Sequence, residues 1–154
     1  ASLEIKDDDL EILLQAKTPL ELLVHGPLPG IITDLCIAGS AAAADQLECS
    51  LDCVKSQLAL QDQYGQTYKI LSDTKCRNYL YLPFERCLYP HLTQLISGGL
   101  QSLRIDGQNY SPELLKKVVA IYQQVVQKGS SQDGYLEILK LFPDGLTPMP
   151  LLEV

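Results

Sequence analysis

The sequence predicts an α/β fold: part of a barrel of strand-helix units, or a small layered domain, carrying a cysteine-bearing loop and a small antiparallel β insert. Three observations predict it. Extended and helical segments alternate at both ends of the chain. A stretch without period, residues 27–56, separates them. A segment alternating around Gly65 then marks a hairpin.

Ser2–Ile5 reads as a short strand, and the helix after it opens on Asp7, Asp8 and Asp9 and closes on Lys17. That order of charge suits the helix dipole. Leu10, Leu13 and Leu14 make its apolar face. "LELLVHG", residues 20–26, is apolar enough for a strand buried on both faces. Strand, helix and strand together imply a parallel sheet. "QLALQDQYGQTYKIL" is the hairpin, and "CRNYLYL" a further extended piece. "FERCLYPHLTQLISGG" reads as helix, stopped by Gly98 and Gly99. "LQSLRIDG" is a strand. The clearest helix follows, with Ser111 as N-cap, Pro112 in its first turn and Gly129 past its end. Its expected face is Leu114, Leu115, Val118, Val119, Tyr122, Val125 and Val126. "GYLEILKLF" is a last short helix. Four parallel strands are too few to close a barrel, so half a barrel or a layered domain is expected.

The chain has 154 residues, 46% of them apolar, which suits a single domain, 1–154, with its own core. No apolar run reaches membrane-spanning length. The acidic start, without an apolar core, does not resemble a secretory leader. The absence of an initial methionine leads us to expect a processed, tagged or excised chain. The net charge of −7 disfavours nucleic acid, whose binding depends on Lys and Arg neutralising phosphates. Five cysteines without a secretory leader favour a cytoplasmic protein with reduced thiols.

Three of those cysteines, Cys36, Cys49 and Cys53, lie in a loop short of large apolar side chains. Ordering each loop residue costs about 1–2 kcal/mol. A disulfide would contribute only about 3 kcal/mol, a bound metal on the order of 10 kcal/mol. A metal therefore explains an ordered loop better. Counting Cys76 and Cys87, no pair has the two-residue spacing usual in structural zinc sites. Iron-sulfur sites accept wider spacings, and small buried thiols account for such cysteines equally well.

"ELLVHGPL", the loop cysteines, "YKIL", "CLYPHLTQLISGGLQSLRIDGQNYSPE" and "LFPDGLTP", in this order, resemble the collagenase-like peptidase family, peptidase family U-32. The resemblance runs from about Leu20 to Leu146 and looks like the later part of that family's domain, a TIM-like barrel. It implies that the chain is the C-terminal portion of a larger barrel protein, with residues 27–82 as cysteine loop and β insert. The partner it implies is the missing N-terminal part, and an open half barrel is further expected to self-associate.

Some members of the family hold a four-cysteine [4Fe-4S] cluster and support oxygen-independent hydroxylation of an RNA base or a quinone precursor; others are described as peptidases. By resemblance Cys36, Cys49, Cys53 and Cys87 are the ligand set, with Cys76 as a substitute fourth ligand. The sequence departs from the pattern at Pro29, where a further cysteine is common. It departs again at Asp34-Leu35, in place of Gly-Arg, and at Gln108, in place of a basic residue.

His25 and Asp106 each end a predicted strand, where barrel enzymes place active residues. They are the candidate catalytic pair if the fold brings them together; otherwise they are a hydrogen-bonded histidine and a turn-forming aspartate. His91 lies within a predicted helix and reads as structural. No H-E-x-x-H or G-x-S-x-G motif accompanies them. The expected function is iron-sulfur-supported hydroxylation. The alternatives are a collagenase-like peptidase and a non-catalytic assembly module.

Overall fold

The computed structural model describes residues 5–16, 18–41 and 51–148. The expected strand residues Ser2–Glu4, the helix-terminal Lys17 and the loop residue Cys49 lie outside them. In chain order the elements are α1 (Asp7–Gln15), β1 (Glu21–Thr33), α2 (Ile37–Ala41), α3 (Asp52–Lys55), β2 (Leu58–Gln61), β3 (Thr67–Ser72) and β4 (Asn78–Cys87). A 3-10 turn (Tyr89–His91), α4 (Leu92–Ser97), β5 (Ser102–Ile105), α5 (Pro112–Lys128), α6 (Gln132–Leu141) and β6 (Leu146–Thr147) follow. The chain forms two compact units.

The first unit comprises residues 1–27 and 84–154. In it β1 pairs in parallel with β5, from Glu21 opposite Ser102 to His25 opposite Ile105, with a register slip between Leu23 and His25. The end of β4 pairs in parallel with β6. The core gathers Leu22 and Val24 of β1, Leu88, Tyr89 and Leu92 after β4, Val118, Ile121, Tyr122 and Val125 of α5, and Ile138 of α6. Ser111 caps α5 through Leu114 N–H, and Gly129 ends it at φ +80°. The buried stripe of α5 includes Ile121 and leaves Val126 65% exposed, a rotation of the expected face toward α6 and the sheet. Ser131, three residues ahead of the expected start, caps α6.

The second unit is Leu28–Pro83. Here β2, β3 and the start of β4 form an antiparallel meander, Leu58 opposite Ile70 and Ile70 opposite Leu80. Its two turns are copies of one another. In the first, Asp62 Oδ1 accepts from the N–H groups of Tyr64 and Gln66, and Gly65 takes φ +83°. In the second, Asp73 Oδ1 accepts from Lys75 and Arg77, and Cys76 takes φ +63°.

The described strands form a mixed α/β sheet that does not close, ordered β2-β3-β4-β1-β5 with β6 on β4. An all-parallel barrel arrangement is therefore not what these strands display. Tight five-residue connections join β2 to β3 and β3 to β4, and such turns can only make antiparallel neighbours. Two readings change at the element level. β1 continues past Gly26 to Thr33, although Ile31 and Ile32 are exposed. Phe84–Cys87 is strand rather than helix: Leu88 N–H donates to Val24 O, and Pro90 sits in the 3-10 turn that only then leads into α4.

Candidate functional site

His25 is wholly buried in the first unit, at the end of the β1 segment paired with β5. Asp106 follows β5, and its backbone N–H donates to His25 O at 2.9 Å. The expected pair is thus brought together through backbone. The Asp106 carboxylate meets the Gln108 N–H at 3.4 Å, while the His25 ring turns toward aromatic side chains. Phe142, Tyr122 and Tyr110 surround it, with ring centroids 4.8, 5.4 and 6.1 Å away.

Tyr122 Oη is the centre of this cluster. It lies 3.3 Å from Val24 O, 3.1 Å from His25 Nδ1 and 3.5 Å from Cys87 Sγ. The hydroxyl has one proton, and Val24 O can only accept. The phenol therefore donates to Val24 O and accepts from His25 Nδ1–H and from the Cys87 thiol. This fixes the histidine tautomer and leaves Nε2 as a bare lone pair, buried and without a hydrogen-bond partner. Tyr110 donates to Glu85 Oε2 at 2.8 Å beside the cluster.

Burial sets the protonation states. It depresses His25 to about 4, so the imidazole is neutral at pH 7. It raises the Cys87 thiol, against smaller opposing effects of hydrogen bonds from Tyr122 and Tyr89, and it raises Tyr122 well above 10. A cysteine nucleophile needs a lowered pKa and a base able to take its proton. Cys87 and His25 are both shifted the opposite way, so they form a neutral, structural pair.

Tyr122→Phe is expected to cost about 2 kcal/mol, because the histidine N–H and the thiol lose their buried acceptor. Urea unfolding checks this, and a loss under about 0.5 kcal/mol would show that the hydroxyl contributes nothing net. Tyr122 was legible from the sequence only as one residue of an apolar helix face. Its role as hydrogen-bond hub depends on strands that arrive from elsewhere in the chain. His91, read as structural, borders an open surface groove of about 350 Å³ with Leu10, Leu14 and Gln94.

Arg86 is the other buried polar group of this unit's strands, and sequence patterning did not flag it. It is fully excluded from solvent, and Nε, Nη1 and Nη2 have no hydrogen-bond partner among the described residues. Burial lowers its pKa to about 10, so it stays charged at pH 7.

The cysteine loop belongs to the second unit. Cys36 is exposed and Cys53 half-buried, and both carry free thiols, as does Cys87. Cys36 Sγ accepts the Gly39 N–H at 3.2 Å. A Cβ on Gly39 would come within 2.9 Å of that sulfur. The Asn78 amide donates to Leu35 O at 2.7 Å and to Cys76 O at 3.2 Å, and Arg77 pairs with Asp34 at 3.2 Å. These contacts tie the Cys76 turn to the chain just before Cys36. Among the described residues no three His, Cys, Asp or Glu side chains converge closely enough to hold a metal ion. Cys36, Cys53 and Cys76 alone therefore do not form a metal site, and Cys49 lies outside the described residues.

No helix among the described residues is long and apolar enough to cross a membrane. No curated protein and no solved structure matches the chain. The model of one family, Peptidase family U32, matches residues 4–148. That span takes in both strand-helix ends, the cysteine loop and the antiparallel insert, and the chain accordingly belongs to peptidase family U32.

Proposed function

We propose that the chain is the later part of a U32 barrel in the cytoplasm, whose cysteine loop holds a [4Fe-4S] cluster serving an oxygen-independent hydroxylation of an RNA base or quinone precursor. Its ligands are Cys36, Cys49 and Cys53, with Cys76 as the fourth in preference to Cys87. One observation carries this choice. The two turns of the meander are superimposable in their hydrogen bonds, yet the left-handed position is Gly65 in one and Cys76 in the other. A side chain there costs about 1 kcal/mol that glycine would avoid, and strain retained at one position points to a use for its side chain. Cys87, by contrast, is spent on Tyr122 in the core of the first unit. When bound, such a cluster supplies one-electron transfer. The protein's part is to supply the cysteine side chains and to hold Cys36 Sγ through the Gly39 N–H.

The test is iron and sulfide content with a visible spectrum, on protein purified without oxygen. About four irons and four sulfides per chain are expected. Cys36→Ser and Cys76→Gly should each lose them, and Cys87→Ser should keep them. Compared with metal-free wild type, Cys76→Gly should be more stable by about 1 kcal/mol, because glycine relieves the positive φ. Metal-free protein from the same preparation, or iron that survives Cys76→Gly, would overturn the assignment. Gelatin hydrolysis that is lost in Asp106→Ala, with the fold intact, would establish the collagenase-like alternative instead.

A further inference from the structure

We propose that Arg86 anchors a binding site for a small carboxylate-bearing ligand, independent of the cysteine loop. The chain has three arginines among twelve basic residues and nineteen acidic ones. Arg77 and Arg104 are about half exposed, and each faces a carboxylate, Asp34 at 3.2 Å and Glu21 at 3.8 Å. The third, Arg86, is the one that water cannot reach, and none of its three guanidinium nitrogens has a partner among the described residues. In a chain so rich in carboxylates, the arginine that most needs one is the one left without.

The strand explains why no near neighbour serves. Successive residues of β4 point to opposite faces. Glu85 accepts from Tyr110 and Cys87 meets Tyr122, so both turn toward the aromatic cluster. Arg86, between them, points to the other face, and Glu85 is committed elsewhere. A buried guanidinium with five unsatisfied N–H donors is strongly unfavourable unless an anion completes it.

Charge and shape select the anion. The buried polar and charged side chains among the described residues are His25, Asn78 and Arg86; the histidine is neutral and the asparagine uncharged. One cation therefore balances one negative charge. The planar guanidinium fork matches a carboxylate through two parallel hydrogen bonds, whereas a phosphate dianion would keep an uncompensated charge. Because the guanidinium is closed to water, entry requires a displacement, and association should fall well below the diffusion-limited range.

The experiment follows the thermal midpoint and calorimetric binding of the 154-residue chain with acetate, succinate and inorganic phosphate at matched ionic strength. Wild type should show a saturable rise with succinate or acetate that exceeds the response to phosphate. Arg86→Met should lose it. Arg86→Lys, which keeps the charge but not the fork, should bind at least about tenfold more weakly and keeps the test valid if the methionine variant fails to fold. No saturable response in wild type, or an equal response in Arg86→Lys and Arg86→Met, would overturn the proposal.

Discussion

Gly26→Ala is expected to destabilise the protein by about 4 kcal/mol, enough to unfold much of a domain of ordinary stability. Two independent penalties meet at this residue. Its φ of +147° is a conformation that side chains rarely adopt. An added Cβ would also stand 2.7 Å from Asp106 O and 2.9 Å from Asp106 Cβ. The first of those atoms is backbone, held where Asp106 N–H meets His25 O, so it cannot swing aside as a flexible side chain would. The close approach of β1 and β5 just past their register slip is the cause. Gly65→Ala is the matched control. It has φ +83° with no atom within 4 Å, so only the conformational cost of about 1 kcal/mol applies. Denaturation midpoints of the two variants separate strain from clash. Equal small losses would show that β1 and β5 can part at Gly26 without consequence, and that the His25–Asp106 juncture is not rigid.

Local rules made some elements legible in the sequence and left others hidden. Ser111, Pro112 and Gly129 mark both ends of α5 because capping is a matter of a few neighbouring residues. The hairpin at Gly65 was readable for the same reason. The course of β4 through Cys87 was not, because "FERCLYPHL" has helical spacing on its own and becomes strand only once β1 and β6 supply its pairing. The site shows the same division. Strand ends could be guessed, so His25 and Asp106 were singled out and do meet, but through backbone atoms. Which way the imidazole turns depends on Tyr122, ninety-seven positions later in the chain. The orphaned guanidinium of Arg86 is invisible to composition, since a single arginine in "PFERC" reads as a surface charge until its strand is placed. In the loop, the cysteines were obvious, yet the preference for Cys76 rests on a backbone angle that no spacing encodes.

Acidification provides the second large effect, and its sign follows from the His25 environment. The folded protein holds this histidine at about 4, through burial, against about 6.5 in the unfolded chain. Above pH 6.5 neither state binds the proton, and stability is at its full value. Between pH 6.5 and 4 the unfolded chain binds a proton that the folded protein refuses, so stability falls as pH falls. Each unit is worth about 1.4 kcal/mol, and the loss reaches about 3 kcal/mol by pH 4, below which His25 adds no further slope. No discount for solvent screening applies, because the ring is entirely buried. Carboxylates titrate in the lower part of the same window, so the informative quantity is the difference between wild type and His25→Asn. Asparagine can keep a polar atom near the Nδ1 position facing Tyr122 Oη, and it does not titrate. Unfolding curves between pH 7.5 and 4.5 should therefore converge as the pH falls, wild type losing about 2–3 kcal/mol more than the variant. Parallel curves would mean that the folded protein accepts the proton after all. Nε2 would then have to reach solvent or an acceptor, the tautomer fixed by Tyr122 and Val24 would be wrong, and His25 would regain the standing of a working acid-base group.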